Sequence, residues 1–164
     1  MIKTDRLILR PFVETDLAEM IMMFQDPDFM AYSPYGALNS QDATTRFYQI
    51  LEHYQQHGFG KMAMLCKDSA QIIGYCGFEM CEIEGQAQAE LGFRLIKSQR
   101  RQGYVIEAAV KLIEDMQHRN FKQVIAFSEQ DNMPAHHLLA KLGFARTNAA
   151  HFLNMDVVFF KKEL

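Results

Sequence analysis

The chain has 164 residues, 49% of them hydrophobic and 23% charged, and carries a formal net charge of −3. That length and composition exclude a disordered chain and fit one domain over residues 1–164 with a core of its own. The slightly acidic balance excludes a global basic field for nucleic acid, so an anionic ligand has to be held by local groups. Lys3, Asp5, Arg6 and Arg10 interrupt the N-terminus where a signal peptide would be apolar, and no apolar run reaches the length of a membrane span. The expected location is cytoplasmic. Cys66, Cys76 and Cys81 are odd in number, and their spacing suits neither zinc nor a disulfide framework, so buried, reduced thiols are expected.

In chain order, Arg6 to Pro11 reads as a strand and Glu14 to Gln25 as a helix, with Leu17, Met20, Ile21 and Phe24 at helical spacing. Pro27, Pro34 and Gly36 mark Asp26 to Asn39 as a loop. A second helix begins near Ser40, sets Ala43, Phe47, Ile50, Leu51 and Tyr54 on one face, and stops at Gly58 and Gly60. Lys61 to Lys67, Gln71 to Met80 and Ala87 to Ile96 are extended, with turns at Asp68-Ser69 and Glu84-Gly85 that predict an antiparallel meander. In the third of these strands, Ala87, Ala89, Leu91, Phe93 and Leu95 face one way; Gln88, Glu90, Gly92 and Arg94 face the other.

The period then changes to helical from Gly103 to Arg119, with a stripe of Val105, Ala108, Ala109, Leu112 and Met116. Val124 to Phe127 suits a strand covered on both faces. A short helix runs from Pro134 to Leu142 and ends at Gly143. Phe152 to Phe160 is predicted as the last strand, with a further short one at Phe144 to Asn148. The order predicts a mixed α/β (α+β) fold with helices packed on one sheet.

The stretch Lys97-Ser98-Gln99-Arg100-Arg101-Gln102-Gly103-Tyr104 joins a strand to an amphipathic helix. A helix start exposes unpartnered N–H groups and a partial positive charge, so Lys97, Arg100 and Arg101 are unfavourable there unless an anion arrives. Gly103 lets the backbone approach that anion, and together these features describe a phosphate site; a solvated basic loop is the alternative.

Arg100-Arg101-Gln102-Gly103-Tyr104-Val105 resembles the Arg/Gln-x-x-Gly-x-Gly/Ala signature of the GNAT acetyltransferase superfamily. Further segments are similar to its branch of ribosomal-protein N-terminal acetyltransferases. They are Thr4-Asp5-Arg6-Leu7-Ile8-Leu9-Arg10-Pro11, Asp26-Pro27-Asp28-Phe29-Met30, Glu90-Leu91-Gly92-Phe93-Arg94-Leu95, and Asn132 with Lys141-Leu142-Gly143-Phe144. The resemblance implies a GNAT-like, mostly antiparallel sheet with helices on both faces, splayed between the family's fourth and fifth strands to admit acetyl-CoA as co-substrate, with no metal. It assigns the pantetheine arm to backbone groups of Phe93 and Leu95, with Asn132 adding a hydrogen bond. The pyrophosphate falls to the segment Arg100, Arg101, Gln102, Gly103, Tyr104 and Val105, and Lys141 lies near the adenosine. Departures are Arg101 and Val105, which replace Gly or Ala, and Ala135 and Leu139, which replace the Ser and Tyr hydroxyls found in other members.

The implied activity is N-acetylation of a primary amine, a peptide N-terminus or small molecule, by direct attack in a ternary complex. A backbone N–H of the fourth strand would meet charge developing on the thioester oxygen. Glu90 is the candidate catalytic base, with pairing to Arg94 on the same strand face as the structural alternative. With no hydroxyl acid evident, an α-amine suits the site better than a lysine, whose pKa of about 10.4 lies well above the α-amino value of about 7.7–8.0. A non-catalytic CoA-binding or regulatory domain on the same fold is the rival reading. No nucleic acid or membrane partner is expected, and the chain is read as a monomer or homodimer. His53 and His57, four residues apart, read as a solvated helix face, and His136 and His137 diverge too far to share a metal. Phe29, Tyr32 and Tyr35 lie where the family builds a wall of its acceptor site.

Overall fold

The computed structural model describes residues 1–164. The strands are β1 (Ile2–Lys3), β2 (Leu7–Pro11), β3 (Lys61–Cys66), β4 (Ile72–Ile83), β5 (Gln86–Leu95), β6 (Gln123–Glu129), β7 (Ala145–Phe152) and β8 (Met155–Glu163). The helices are α1 (Leu17–Gln25), α2 (Ser40–His57), α3 (Tyr104–His118) and α4 (Met133–Lys141). The strands form one sheet in the order β1-β2-β3-β4-β5-β6-β8-β7. Every neighbouring pair is antiparallel except β5 and β6. Those two are parallel because α3 carries the chain back across the sheet between them.

The sheet separates two cores. Met62, Met64 and Cys66 of β3 point into the larger one, with Leu91 of β5 and with Ala108, Leu112 and Met116 of α3. Ala63 points to the other face, where Met20 and Phe24 of α1 and Phe47 and Ile50 of α2 close a second core. The helical stripe read in α3 is buried throughout, as expected. A smaller group of Met155, Val157 and Phe159 joins Phe127 and Phe152 at the β6–β8–β7 end.

The predicted elements stand with three differences. Ile2–Lys3 adds an edge strand too short to show a period. The strand expected over Phe152 to Phe160 begins inside a hairpin turn. Leu153 and Asn154, at φ 49° and 60°, separate β7 from β8, and the short strand expected near Phe144 is the first half of β7. Two left-handed residues are what a two-residue hairpin requires, and Leu153 disguises one of them. Glu84 and Gly85, at φ 51° and 76°, turn β4 into β5 in the same way, and Gly85 makes that turn legible. No helix is long and apolar enough to cross a membrane.

Candidate active site

The parallel junction of β5 and β6 consists of one register pair, Glu90 with Ile125. β5 continues to Leu95 paired only with β4. The Ile96 N–H donates to the Ile73 carbonyl across the β4 edge. Alternation along an antiparallel ladder therefore turns the N–H and C=O of Phe93 and Leu95 to the opposite, open edge. These are the two residues assigned to the pantetheine arm. Their side chains leave that edge, Leu95 being buried in the larger core and Phe93 half-buried against it.

A single 3-10 turn, Lys97–Gln99, leads from β5 to α3. Gly103 is the helix N-cap at φ 82°, a left-handed position that favours glycine, and no side chain caps the helix there. Arg101 also sits at positive φ, 62°. Tyr104 and Val105 point into the larger core, so the β-branched Val105 side chain is directed away from the exposed helix start.

The basic residues of this segment are not equivalent. Lys97 reaches the Asp28 carboxylate at 3.0 Å. Arg100 donates through Nε to the Leu95 carbonyl at 3.2 Å and through Nη2 to the Asp28 carbonyl. Both are engaged with the loop between α1 and α2, while Arg101 stays exposed beside the helix start. Behind the segment, Arg6 lies 4.4 Å over the Tyr104 ring and donates through Nη1 to the Gln102 carbonyl at 2.8 Å. Its Nε donates to Glu107 at 2.7 Å, and the Thr4 hydroxyl donates to the same carboxylate. Burial works to raise the Glu107 carboxyl, but these donors outweigh it and hold it below the usual carboxylate range.

On the α1–α2 side of the sheet, Glu90 does not pair with Arg94. Its Oε2 accepts from Lys61 Nζ at 2.9 Å. Lys61 is buried, 3% exposed, also donates to the Gly77 carbonyl, and lies 3.8 Å from Glu79. Glu79 accepts from Arg46 of α2 at 2.6 Å. Burial alone would lower the Lys61 pKa, but Glu90 and Glu79 outweigh it and hold the ammonium charged. Glu79 is pulled down in the same way: burial opposes ionisation, and Lys61 and Arg46 enforce it. Arg94 points elsewhere, donating to the carbonyls of Phe29 and Ala31 at 3.0 and 2.8 Å. It meets carbonyls of the α1–α2 loop because that loop crosses the same face of β5.

This geometry has relatives. Residues 6–145 match the acetyltransferase (GNAT) domain family. The chain belongs to the GNAT acetyltransferase family. It is 30% identical over 115 residues to the uncharacterized N-acetyltransferase YjdG of Bacillus subtilis (strain 168), covering 65% of this chain and 68% of that protein. It shares its fold with an acetyltransferase (GNAT family) from Bacillus anthracis, at TM-score 0.81 and 20% identity, covering 99% and 97% of the two chains. A ribosomal L7/L12 alpha-N-protein acetyltransferase in complex with coenzyme A is similar at TM-score 0.80 and 16% identity, covering 98% and 96%.

In this GNAT chain Asn132 caps α4, its Oδ1 accepting from the Ala135 N–H at 3.3 Å, which leaves the Nδ2 donors uncommitted. Lys141 is exposed at the end of that helix. Ala135 and Leu139, which the resemblance sets in place of hydroxyls, are both buried. Of the aromatic residues in the α1–α2 loop, Phe29 belongs to the second core, while Tyr32 and Tyr35 are exposed. His53 is not solvated as expected. Its Nδ1 meets the Phe59 carbonyl at 3.1 Å and its Nε2 accepts from the Met80 N–H at 2.9 Å, and burial lowers its pKa. The three cysteines are unpaired; Cys66 and Cys76 are buried, Cys81 is half-buried, and burial pushes Cys76 up to about 12. No group of His, Cys, Asp and Glu could hold a metal ion.

Sequence reasoning missed Lys61, Glu79, Arg46 and Arg6. Lys61 and Glu79 had a signal, since each is a charge set in an otherwise apolar strand, Lys61-Met62-Ala63-Met64 and Ile72 to Cys81.

Proposed function

We propose that the chain, as one domain over residues 1–164, transfers the acetyl group of acetyl-CoA to a primary amine by direct attack in a ternary complex. The observation that carries this reading is the open edge of β5. The N–H and C=O of Phe93 and the N–H of Leu95 have no strand partner there, Arg100 taking the Leu95 carbonyl, and the strand that bears them presents Glu90 and leads to the helix start at Gly103. A pantetheine arm is an amide chain and suits that edge as an added strand would. Its pyrophosphate suits the N–H groups of Arg101 to Val105, with Asn132 and Lys141 at the pantetheine and adenosine ends. Bound there, acetyl-CoA supplies an activated acyl group to an incoming amine.

Glu90 is the group of this chain that takes the proton from the acceptor amine, directly or through one water. Orientation supplies most of the remaining acceleration. With Ala135 and Leu139 in place of hydroxyls, no side chain of α4 protonates the departing thiolate, and water serves, since a thiol is acidic enough to leave as the anion. That asymmetry favours acceptors with a low amine pKa, peptide N-termini first among them, in keeping with the ribosomal-protein branch. Unpaired thiols and acetyl-CoA as co-substrate fit a cytoplasmic monomer or homodimer.

The test is release of CoA thiol from acetyl-CoA with an alanyl-terminated peptide, spermidine and Nα-acetyl-lysine amide, beside calorimetry of acetyl-CoA alone. Turnover with any of these supports the transferase. Affinity without turnover on a broad amine panel selects the non-catalytic binder, and absence of affinity removes both.

A further inference from the structure

Lys61 and Glu90 stand on different strands, β3 and β5, and are joined on the α1–α2 face of the sheet beside the splay. The Lys61 side chain is 4% exposed and that of Glu90 13%. An ammonium is rarely left so deep unless its partners are fixed. Here three of them are: the Glu90 carboxylate, the Gly77 carbonyl and Glu79, which Arg46 holds from α2.

The two oxygens of Glu90 have different surroundings. Oε2 is tied to Lys61. Oε1 takes no hydrogen bond from the protein and is not fully enclosed. It lies 3.3 Å from the point a Cβ on Gly92 would occupy, two residues along β5 from Glu90. The ammonium therefore holds one oxygen and leaves the other without a protein partner, over Gly92 on the same face of β5.

We propose that Lys61 is the positioning residue for Glu90: it fixes Oε2 so that Oε1 faces the acceptor amine on the open edge of β5. Lys61 touches neither acetyl-CoA nor amine. It acts through the carboxylate, and Arg46 and Glu79 act through Lys61. This deepens the reading of Glu90 as the base and rests on it.

The experiment is a double-mutant cycle on Lys61→Met and Glu90→Gln, read as kcat, KM for acetyl-CoA and calorimetric acetyl-CoA affinity, with the fastest of the three amine probes as acceptor. Glu90→Gln is expected to lower kcat at least tenfold with acetyl-CoA affinity unchanged. Lys61→Met is expected to lower kcat by a similar factor, again without loss of acetyl-CoA affinity, which also reports that the variant is folded. The double variant, which buries no unpaired partner of this ion pair, is expected to be no slower than Glu90→Gln alone. Full additivity of the two losses overturns the proposal, as does Lys61→Met at wild-type kcat when Glu90→Gln is slow. Wild-type kcat in Glu90→Gln overturns the base reading itself and the proposal with it.

Discussion

The Nζ of Lys61 occupies the space above Gly92: a Cβ on that glycine would lie 2.2 Å from it. Gly92 thus makes room for a buried ammonium at the strand position next to the residues assigned to pantetheine. The Gly92→Ala variant forces the buried Lys61 ammonium to shift from its place beside Glu90. Overpacking of this kind costs about 1–3 kcal/mol. The expected outcome is a lower melting temperature together with reduced kcat. A variant as stable and as fast as wild type would mean that Lys61 can move freely.

A second expectation concerns Arg6. Its guanidinium fixes the Gln102 carbonyl and the Glu107 carboxylate, and so holds the peptide units leading into Gly103. Nearly half of the Arg6 side chain is exposed, and such a pair adds little to global stability, about 0–1 kcal/mol. Its contribution belongs to the orientation of the N–H groups proposed to bind the anion. Arg6→Gln should therefore raise the KM for acetyl-CoA several-fold while moving the melting temperature by only a few degrees. A large loss of stability with unchanged KM would reverse that assignment.

The sequence carried most of the frame. The change from a two-residue to a helical period at Gly103 locates α3, and the alternation of β5 places Glu90, Gly92 and Arg94 on one face. What escaped was pairing across that face. Arg94 follows Glu90 on the same strand face and looked like its partner, but the α1–α2 loop crosses over Arg94 and takes its guanidinium. Lys61 lies 29 positions away in sequence and reaches Glu90 only because β3, β4 and β5 lie side by side. Long-range register of this kind leaves no local periodicity. His53 escaped for the same reason, since its partner on β4 is the Met80 backbone amide.

Acid stability offers a third test. Asp16 is 7% exposed. Burial works to raise its carboxyl, but the paired Arg10 guanidinium, at 2.7 and 2.8 Å, and the Val13 N–H outweigh it and hold the pKa below the usual value. Glu79 and Glu107 are lowered as well. A carboxylate depressed in the folded state contributes stability that is present above its unfolded pKa and is lost as pH falls through the folded one. Stability should hold through neutral pH and decline below about pH 4. Asp16→Asn should remove about 1.5–3 kcal/mol at pH 7 and flatten the decline. Chemical denaturation of both proteins at pH 7 and at acid pH measures this, and parallel curves would remove Asp16 as a contributor.

The last prediction separates Arg100 and Arg101 in the segment proposed to hold the pyrophosphate. Arg100 is held by the carbonyls of Leu95 and Asp28, so its charge is directed to the α1–α2 loop. Arg101 is exposed beside the N-terminus of α3 and meets the positive end of that helix. An arriving pyrophosphate relieves that repulsion, so CoA should stabilise the folded chain, by about 2.7 kcal/mol when free ligand is a hundred times its dissociation constant. Part of the attraction is Coulombic and screened by salt, so affinity should fall as ionic strength rises. Arg101→Gln should flatten that salt dependence yet keep binding, because the backbone N–H donors remain. Arg100→Gln should leave the salt dependence nearly intact and instead raise the KM for the amine, since it frees the loop that carries Tyr32 and Tyr35. Positive φ adds a second signature at Arg101. Arg101→Gly loses the same charge but relieves a left-handed backbone, so it should melt higher than Arg101→Gln while matching its salt response. Thermal melts with and without CoA at two salt concentrations, for wild type and the three variants, decide the matter. Equal flattening by Arg100→Gln and Arg101→Gln would mean that both charges face the phosphates. An unmoved wild-type melting temperature at saturating CoA and low salt would remove the phosphate site altogether.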